Sequence, residues 1–288
     1  MLISAMFFAV MNIFVKLVPH IPAQEIVFFR ALITLIMSYV FLKKNNIPFS
    51  GTNRPILLLR ALFGMIGLIL YIYSVQRMPL ATAVTIHHLA PIFTTIFAIY
   101  ILKEKVKPLQ WLFFGIAFAG VAVIKGFDSS FDLKLFAMIL GSALFAGLAY
   151  NMIRKLRTTD HPMVVVFYFP LITLPIITPF IFASWYSPIG VEWLYIFGIG
   201  ICTQFAQYYM TKAYQSERIA TVSMFKYSSV IYAILIGFLI FGETLNWLTA
   251  AGMALVVVGV LANLWYKRHL RLSLEREREA NLIAMNLD

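Results

Sequence analysis

Ten predominantly apolar runs fill almost all of this chain, near 2–18, 26–42, 56–75, 80–102, 109–125, 133–153, 163–184, 191–211, 219–241 and 246–266. Each has roughly the 17–25 residues that cross the hydrocarbon core of a bilayer as a helix. Inside hydrocarbon no water meets the backbone N–H and C=O groups, so every segment must satisfy them internally, which a helix does. The expected fold class is therefore all-α and integral to the membrane, with ten transmembrane helices. Composition closes off the main alternative. Of the 288 residues 61% are apolar and only 12% are charged. A soluble domain carries about twice that share of charge, and no polar stretch here is long enough to form one.

The breaks between runs hold turn residues and charge. Pro19, Pro22, Pro79, Pro108, Pro162 and Pro188 fall there. One alternate set of loops collects Lys43, Lys44 and Arg54, then Lys103, Lys105 and Lys107, then Arg154, Lys155 and Arg157, then Arg218, with Lys267, Arg268 and Arg271 after the last run. The opposite set has little beyond Arg77, Lys125 and Lys134. Basic loops stay in the cytoplasm, so both termini are expected there, which requires an even number of spans. The net charge of +11 then reflects topology rather than nucleic acid. Trp111, Trp185, Trp193, Trp247 and Trp265 sit near expected span ends, where the interface favours them. The expected location is the inner (cytoplasmic) membrane, multi-pass. The lone Cys202 cannot form an intrachain disulfide, and no Cys/His metal spacing exists, so neither metal nor cofactor is expected. No basic n-region precedes the first run, which argues against a signal peptide. A span beginning at residue 1 is unusual and leaves room for a natural start upstream of Met1. Residues 267–288, rich in Glu and Arg with interleaved Leu and Ile, read as a short cytoplasmic or interfacial helix.

The chain also repeats itself. Shifted by 139 positions, the stretch from Gln76 coincides without a gap with that from Gln215. Ala81-Thr82 meets Ala220-Thr221, Glu104 meets Glu243, and Gly120-Val121 meets Gly259-Val260. Polar and glycine matches at one fixed offset weigh more than Ile and Leu identities, which apolar helices share by chance. Asn12–Lys16 also aligns with Tyr150–Arg154, and Ile21-Pro22 with His161-Pro162. Each half would hold five spans. An odd number makes the halves enter the membrane from opposite sides, the inverted repeat found in many secondary transporters.

Several residues of this pattern resemble a known family. They are Asn12 and Lys16 late in the first span, Arg30 within FFRAL in the second, and the glutamates Glu104 (LKEK) and Glu243 (FGET) closing the fourth and ninth. Together with the paired five-span halves they look like the EamA family of the drug/metabolite transporter superfamily. The resemblance divides the chain into repeats at 1–126 and 133–266 and a tail at 267–288. It implies ten helices around a central cavity, alternating access and a metabolite as cargo. The sequence departs from it at Tyr150, which stands opposite Asn12, and at Pro170, opposite Arg30.

An ionisable side chain at mid-membrane is costly unless paired or wetted, and so marks a candidate site. Lys226, about seven residues into the ninth span, is the foremost. His87 is its counterpart at the offset, and His88 faces Tyr227 in the alignment. Pro91 has no N–H and deprives the His87 carbonyl of its helical donor, which predicts a kink at the same place. Such histidines bind substrate, relay a proton or simply bridge helices. Asn12, Tyr71, Gln76, Tyr150, Asn151, Gln204, Gln207, Tyr208 and Lys212 add polar groups at middle depth. Gln204, Gln207 and Tyr208 share one helical face. Each alone reads as an interhelical hydrogen bond; as a set they predict a wet, aromatic-lined cavity. The expected substrate-binding set is Lys226, His87, His88, Tyr227, Asn12, Tyr71, Tyr150, Gln204, Gln207 and Tyr208. Lys16, Arg30, Arg60 and Arg154 fall nearer span ends and read as snorkelling side chains. Glu104 and Glu243 read as structural ties.

No carboxylate lies deep in any span. Buried cations without buried anions favour an anionic or zwitterionic cargo, such as an amino acid, an organic acid or a nucleoside-like compound. The partners expected are therefore that small molecule and the bilayer, with the protein a monomer or homodimer. A membrane enzyme would need a metal cluster, a nucleophile–base pair or paired carboxylates, and none is visible. A lipid translocase or a purely structural membrane protein remains as the alternative. The former calls for a lateral hydrophobic opening, and the latter needs no polar cavity. In the seventh span Pro170, Pro175 and Pro179 predict a kinked helix, acting as a gate or merely packing irregularly. Ala250, Ala251, Ala254 and Gly259 in the tenth either allow close helix contact or face lipid.

Overall fold

The computed structural model describes residues 1–103, 106–127, 132–182, 185–215, 228–244 and 246–285, with side chains up to residue 270. Among them the chain is all helix: α1 (Leu2–Leu17), α2 (Ala23–Lys44), α3 (Arg54–Val75), α4 (Leu80–His87), α5 (Ala90–Ile101), α6 (Pro108–Phe127), α7 (Leu133–Lys155), α8 (Pro162–Ile181), α9 (Glu192–Gln215), α10 (Ser228–Phe241) and α11 (Trp247–Met285). Seven helices, counting α4 and α5 as one, are long and apolar enough to cross a membrane, and α1 and α10 are shorter apolar helices. The 24-residue α9 has the length to cross but is diluted by Thr203, Gln204 and Gln207. Large apolar side chains such as Ile36, Leu112, Phe180, Leu194, Leu239 and Val258 are more than half exposed. A surface like that suits lipid tails, not water. Met11, Val15, Leu57, Ile72, Ile86 and Val256 belong to one continuous buried core.

The expected kink appears as a complete break. Helix α4 ends at His87 and α5 begins at Ala90, with Pro91 in its first turn, where a proline costs no hydrogen bond. Helix α8, by contrast, stays continuous through Pro170, Pro175 and Pro179. Helix α11 runs on without interruption from Trp247 through the expected boundary at 266 to Met285. A Lys/Arg/Glu-rich segment has good helix propensity and nothing at 266 to stop it.

Two kinds of contact recur at the sequence offset. Gln76 Nε2 donates to the carbonyls of Val18 (3.0 Å) and Ile21 (2.9 Å) in the α1–α2 turn. Gln215 Nε2 donates to the carbonyl of Asp160 (3.1 Å) in the α7–α8 turn. Both members of the second pair lie 139 positions after those of the first. Helices α6 and α11 cross through glycine. A Cβ placed on Gly120 would stand 2.6 Å from the Gly252 carbonyl oxygen, and one on Gly259 would stand 2.8 Å from that of Phe113. Gly259 therefore makes close contact, whereas Ala250, Ala251 and Ala254 occupy the opposite, exposed face. Elsewhere α3 packs along α7, α1 along α9, and α2 along α8.

Between α7 and α8 the Asp160 carboxylate accepts the backbone N–H groups of Thr52 (2.6 Å) and Asn53 (3.3 Å), tying two loops together. The adjacent His161 caps α8, its Nδ1 accepting from Met163 N at 3.2 Å. Burial, aided by the charge of Lys212, holds this imidazole below its usual range. On acidification the unfolded chain therefore takes up its proton before the folded one does. The cap contributes fully above the ordinary histidine pKa of about 6.5 and is lost as pH falls through the lowered folded value. Thermal unfolding in detergent is expected to show stability falling from about pH 7 to about pH 5. His161→Asn, which caps without titrating, will flatten part of that slope.

Candidate functional site

A partly open cavity of about 120 Å³ lies between the helices. Helix α1 lines it with Ser4, Phe8, Met11 and Asn12; α2 contributes Arg30; α3 contributes Arg60, Gly64 and Tyr71. The broken α4–α5 junction supplies His87 and His88, α7 supplies Tyr150 and Ile153, and Phe169, Gln207, Met210 and Ser229 complete the wall. Carbonyls and donors freed by a broken helix are tolerated at this depth where they line such a space.

The polar groups are held in place. Asn12 Nδ2 donates to Tyr71 Oη at 2.9 Å, and the Tyr71 ring sits 4.6 Å, centroid to centroid, from His87. The Ser142 hydroxyl lies within hydrogen-bond reach of both the Ile139 carbonyl (2.7 Å) and His87 Nδ1 (3.0 Å). His88 Nε2 and Ser229 Oγ share a hydrogen bond of 2.6 Å. Tyr150 stacks on Tyr214 at 4.7 Å.

Two residues read as snorkelling prove to be the most buried charges in the wall. Arg30 is 1% exposed and Arg60 3%. Arg60 Nη2 donates to Gln207 Oε1 at 3.1 Å, and its guanidinium lies 4.7 Å from the Phe169 ring centre. Arg30 Nη1 donates to the Met11 sulfur at 3.9 Å. Among the described residues, Nε and Nη2 of Arg30, and Nε and Nη1 of Arg60, have no hydrogen-bond partner. The signal that would have found them was depth. The apolar runs begin at residues 26 and 56, but the helices begin at Ala23 and Arg54. Each arginine is thus two turns inside, as Lys226 is expected to be.

Of the ten residues expected at the site, Asn12, Tyr71, His87, His88, Tyr150 and Gln207 meet around this cavity. Gln204 and Tyr208 do not. Gln204 exchanges hydrogen bonds with Ser38 (3.0 and 3.1 Å) and pins α9 to α2. Tyr208 packs on Phe41 at 5.8 Å. A 3.6-residue helix spreads i, i+3 and i+4 over a broad face, and only Gln207 lies at its cavity edge. Lys226, Tyr227 and Glu104 lie outside the described residues. Asn151, fully buried, donates to the Thr94 carbonyl at 2.9 Å as an interhelical tie.

One side of the bundle is pinned shut. The Glu243 carboxylate pairs with Lys16 and accepts the N–H of Leu80, at the start of α4, at 2.8 Å. A carboxylate there satisfies an orphan donor and favours the helix dipole. Lys16 Nζ also donates to the Met78 carbonyl at 3.2 Å. Lys16 is therefore ion-paired rather than snorkelling, and Glu243 is the structural tie its position predicts.

The sequence matches the EamA-like transporter family twice, over residues 1–126 and 133–265. The chain belongs to that family. It is accordingly a multi-pass membrane transporter of the drug/metabolite transporter superfamily. Among this transporter's relatives, a protein of Pseudomonas aeruginosa named pseudopaline exporter CntI is 30% identical over 88% of this chain and 91% of its own. Human solute carrier family 35 member G1 is 30% identical over 92% of this chain and 79% of its own. An S-adenosylmethionine uptake transporter of Rickettsia prowazekii is 25% identical over 82% and 81%. These are transporters, not enzymes. A crystal structure with 16% identity shares the fold of this EamA transporter, with a TM-score of 0.67 over 91% of this chain and 94% of that one.

Proposed function

We propose that this transporter carries a small organic anion or zwitterion across the cytoplasmic membrane by alternating access, with the cavity as its binding site. The observation that carries the reading is the pair of buried arginines, incompletely bonded among the described residues, that line one cavity. Two inverted five-span repeats, 1–126 and 133–266, would supply the moving halves, with both termini and the 267–288 tail in the cytoplasm.

Support for the inversion comes from contacts that swap partners when the halves are exchanged. Pairing α3 with α7 corresponds to pairing α9 with α1, and the Gln76 bond corresponds to that of Gln215. An in-plane two-fold axis has this effect. Support for alternating access comes from asymmetry. The cavity reaches Met1 and Ser4 at the start of α1, the side that the basic loops assign to the cytoplasm. The opposite side carries the Lys16–Glu243 pin. That arrangement corresponds to an inward-facing state, and opening the other way would release the pin.

The test is a ligand screen by thermal unfolding on purified protein, followed by transport in liposomes. A ligand that binds the folded state raises its melting temperature. An anionic or zwitterionic compound is expected to stabilise wild type and to fail on Lys226→Ala, the candidate from the sequence. Normal transport by both Lys226→Ala and His87→Ala would remove those two residues from the site.

A further inference from the structure

We propose that Arg30 and Arg60 form a subsite for an organic dianion, each guanidinium taking one carboxylate-type group of the cargo. The assignment rests on the carrier reading above and narrows its anionic or zwitterionic cargo to a doubly anionic one.

Arginine does not give up its proton in a protein, so both side chains are cations in a site almost closed to water. A buried charge that is not paired is severely penalised. No carboxylate occurs among the described residues of the cavity wall, so those residues supply no counter-charge there. The unmet donors have a specific shape. Nε and Nη2 of Arg30, both without a partner among the described residues, are the side-on fork that matches the two oxygens of a carboxylate. Nε and Nη1 of Arg60 likewise lack a partner among the described residues, while Gln207 and Phe169 fix its plane. A guanidinium so anchored is pre-organised and loses little entropy on binding.

Gly64 lines the cavity beside it. A Cβ there would stand 3.2 Å from the Phe169 ring and 3.5 Å from Arg60 Nη1. The glycine admits the close approach of the anchored ring and guanidinium. Charge then separates the two cargo classes. Two like charges in one low-dielectric cavity repel, and a dianion relieves both burial and repulsion. The ammonium of a zwitterion would meet two cations, with only aromatic faces and dipoles in compensation.

The experiment uses the full-length protein in detergent. Succinate, succinamate and succinamide share one skeleton and carry two, one and no negative charges, and γ-aminobutyrate is a zwitterion of similar length. Adipate tests a longer separation, and chloride and sulfate control for inorganic anions. Wild type should be stabilised in the order dicarboxylate, then succinamate, then succinamide. Each lost charge should weaken apparent affinity about tenfold or more. Arg30→Gln and Arg60→Gln should bind succinate no better than succinamate, while Arg60→Lys keeps the order with affinity reduced about tenfold. The charge series on wild type needs no variant to fold. Equal stabilisation by γ-aminobutyrate, succinamide or chloride, or wild-type affinity in both glutamine variants, would overturn the subsite. Uptake of radiolabelled succinate into liposomes separates the two readings. Binding in the predicted order without any movement would sink the carrier and leave the subsite standing.

Discussion

Arg30→Met will yield a protein that melts at a higher temperature than wild type and does not transport. The gain follows from what the arginine lacks. Among the described residues its neighbouring acceptor is the Met11 sulfur, at 3.9 Å, and two of its nitrogens have no partner there. Replacing buried, poorly compensated charge by an apolar side chain of similar length is stabilising by about 1–4 kcal/mol in favourable cases. Methionine is unbranched and fills irregular space. Transport should fall at least about tenfold, the factor that about 1.4 kcal/mol of lost ligand interaction represents. Thermal unfolding without ligand and uptake into liposomes measure the two effects. A destabilised Arg30→Met protein that still transports would mean that the arginine is structural. A residue that costs stability and is needed for activity is the expected mark of a functional position.

Gly252→Leu is expected to prevent a stable fold. A Cβ at this position would lie 2.8 Å from the Gly120 carbonyl oxygen, 2.8 Å from Ile124 Cγ1 and 3.0 Å from Ile124 N. Two of these are backbone atoms, which cannot rotate away as a side chain does. The helices would have to separate along the whole α6–α11 contact, forfeiting the van der Waals packing that holds helices together in lipid. The cost should reach roughly 3 kcal/mol or more. It would be read as aggregation on size-exclusion chromatography or a large drop in melting temperature. Gly115→Leu is the matched control on α6, since nothing lies within 4 Å of its added Cβ, and it should be close to neutral. Equal behaviour of the two variants would refute the packing argument.

Membrane spans were readable from the sequence because hydrocarbon imposes one rule on every segment. Six cavity residues were readable because polarity at mid-depth is rare. The arginines escaped because depth was counted from where apolarity begins. A helix begins earlier, in the polar turn, and Pro22 and Asn53 stand just outside the true starts. Gln204 and Tyr208 failed for another reason. Periodicity fixes a face of α9 but not which neighbour that face meets, and Ser38 on α2 is distant in sequence. Similarly, the small residues of the last span gave no hint that Gly252 and Gly259 touch α6 while Ala250, Ala251 and Ala254 turn away. Only the partner helix decides that.

The α6–α11 crossing has a mechanical consequence. Gly120 against Gly252 and Gly259 against Phe113 are the same contact seen from either helix, because 139 positions separate Gly120 from Gly259 and Phe113 from Gly252. An interface that maps onto itself in this way can serve as a fulcrum. On the alternating-access proposal, the two bundles would tilt in either sense about it without unmaking it, with this crossing as the place that moves least.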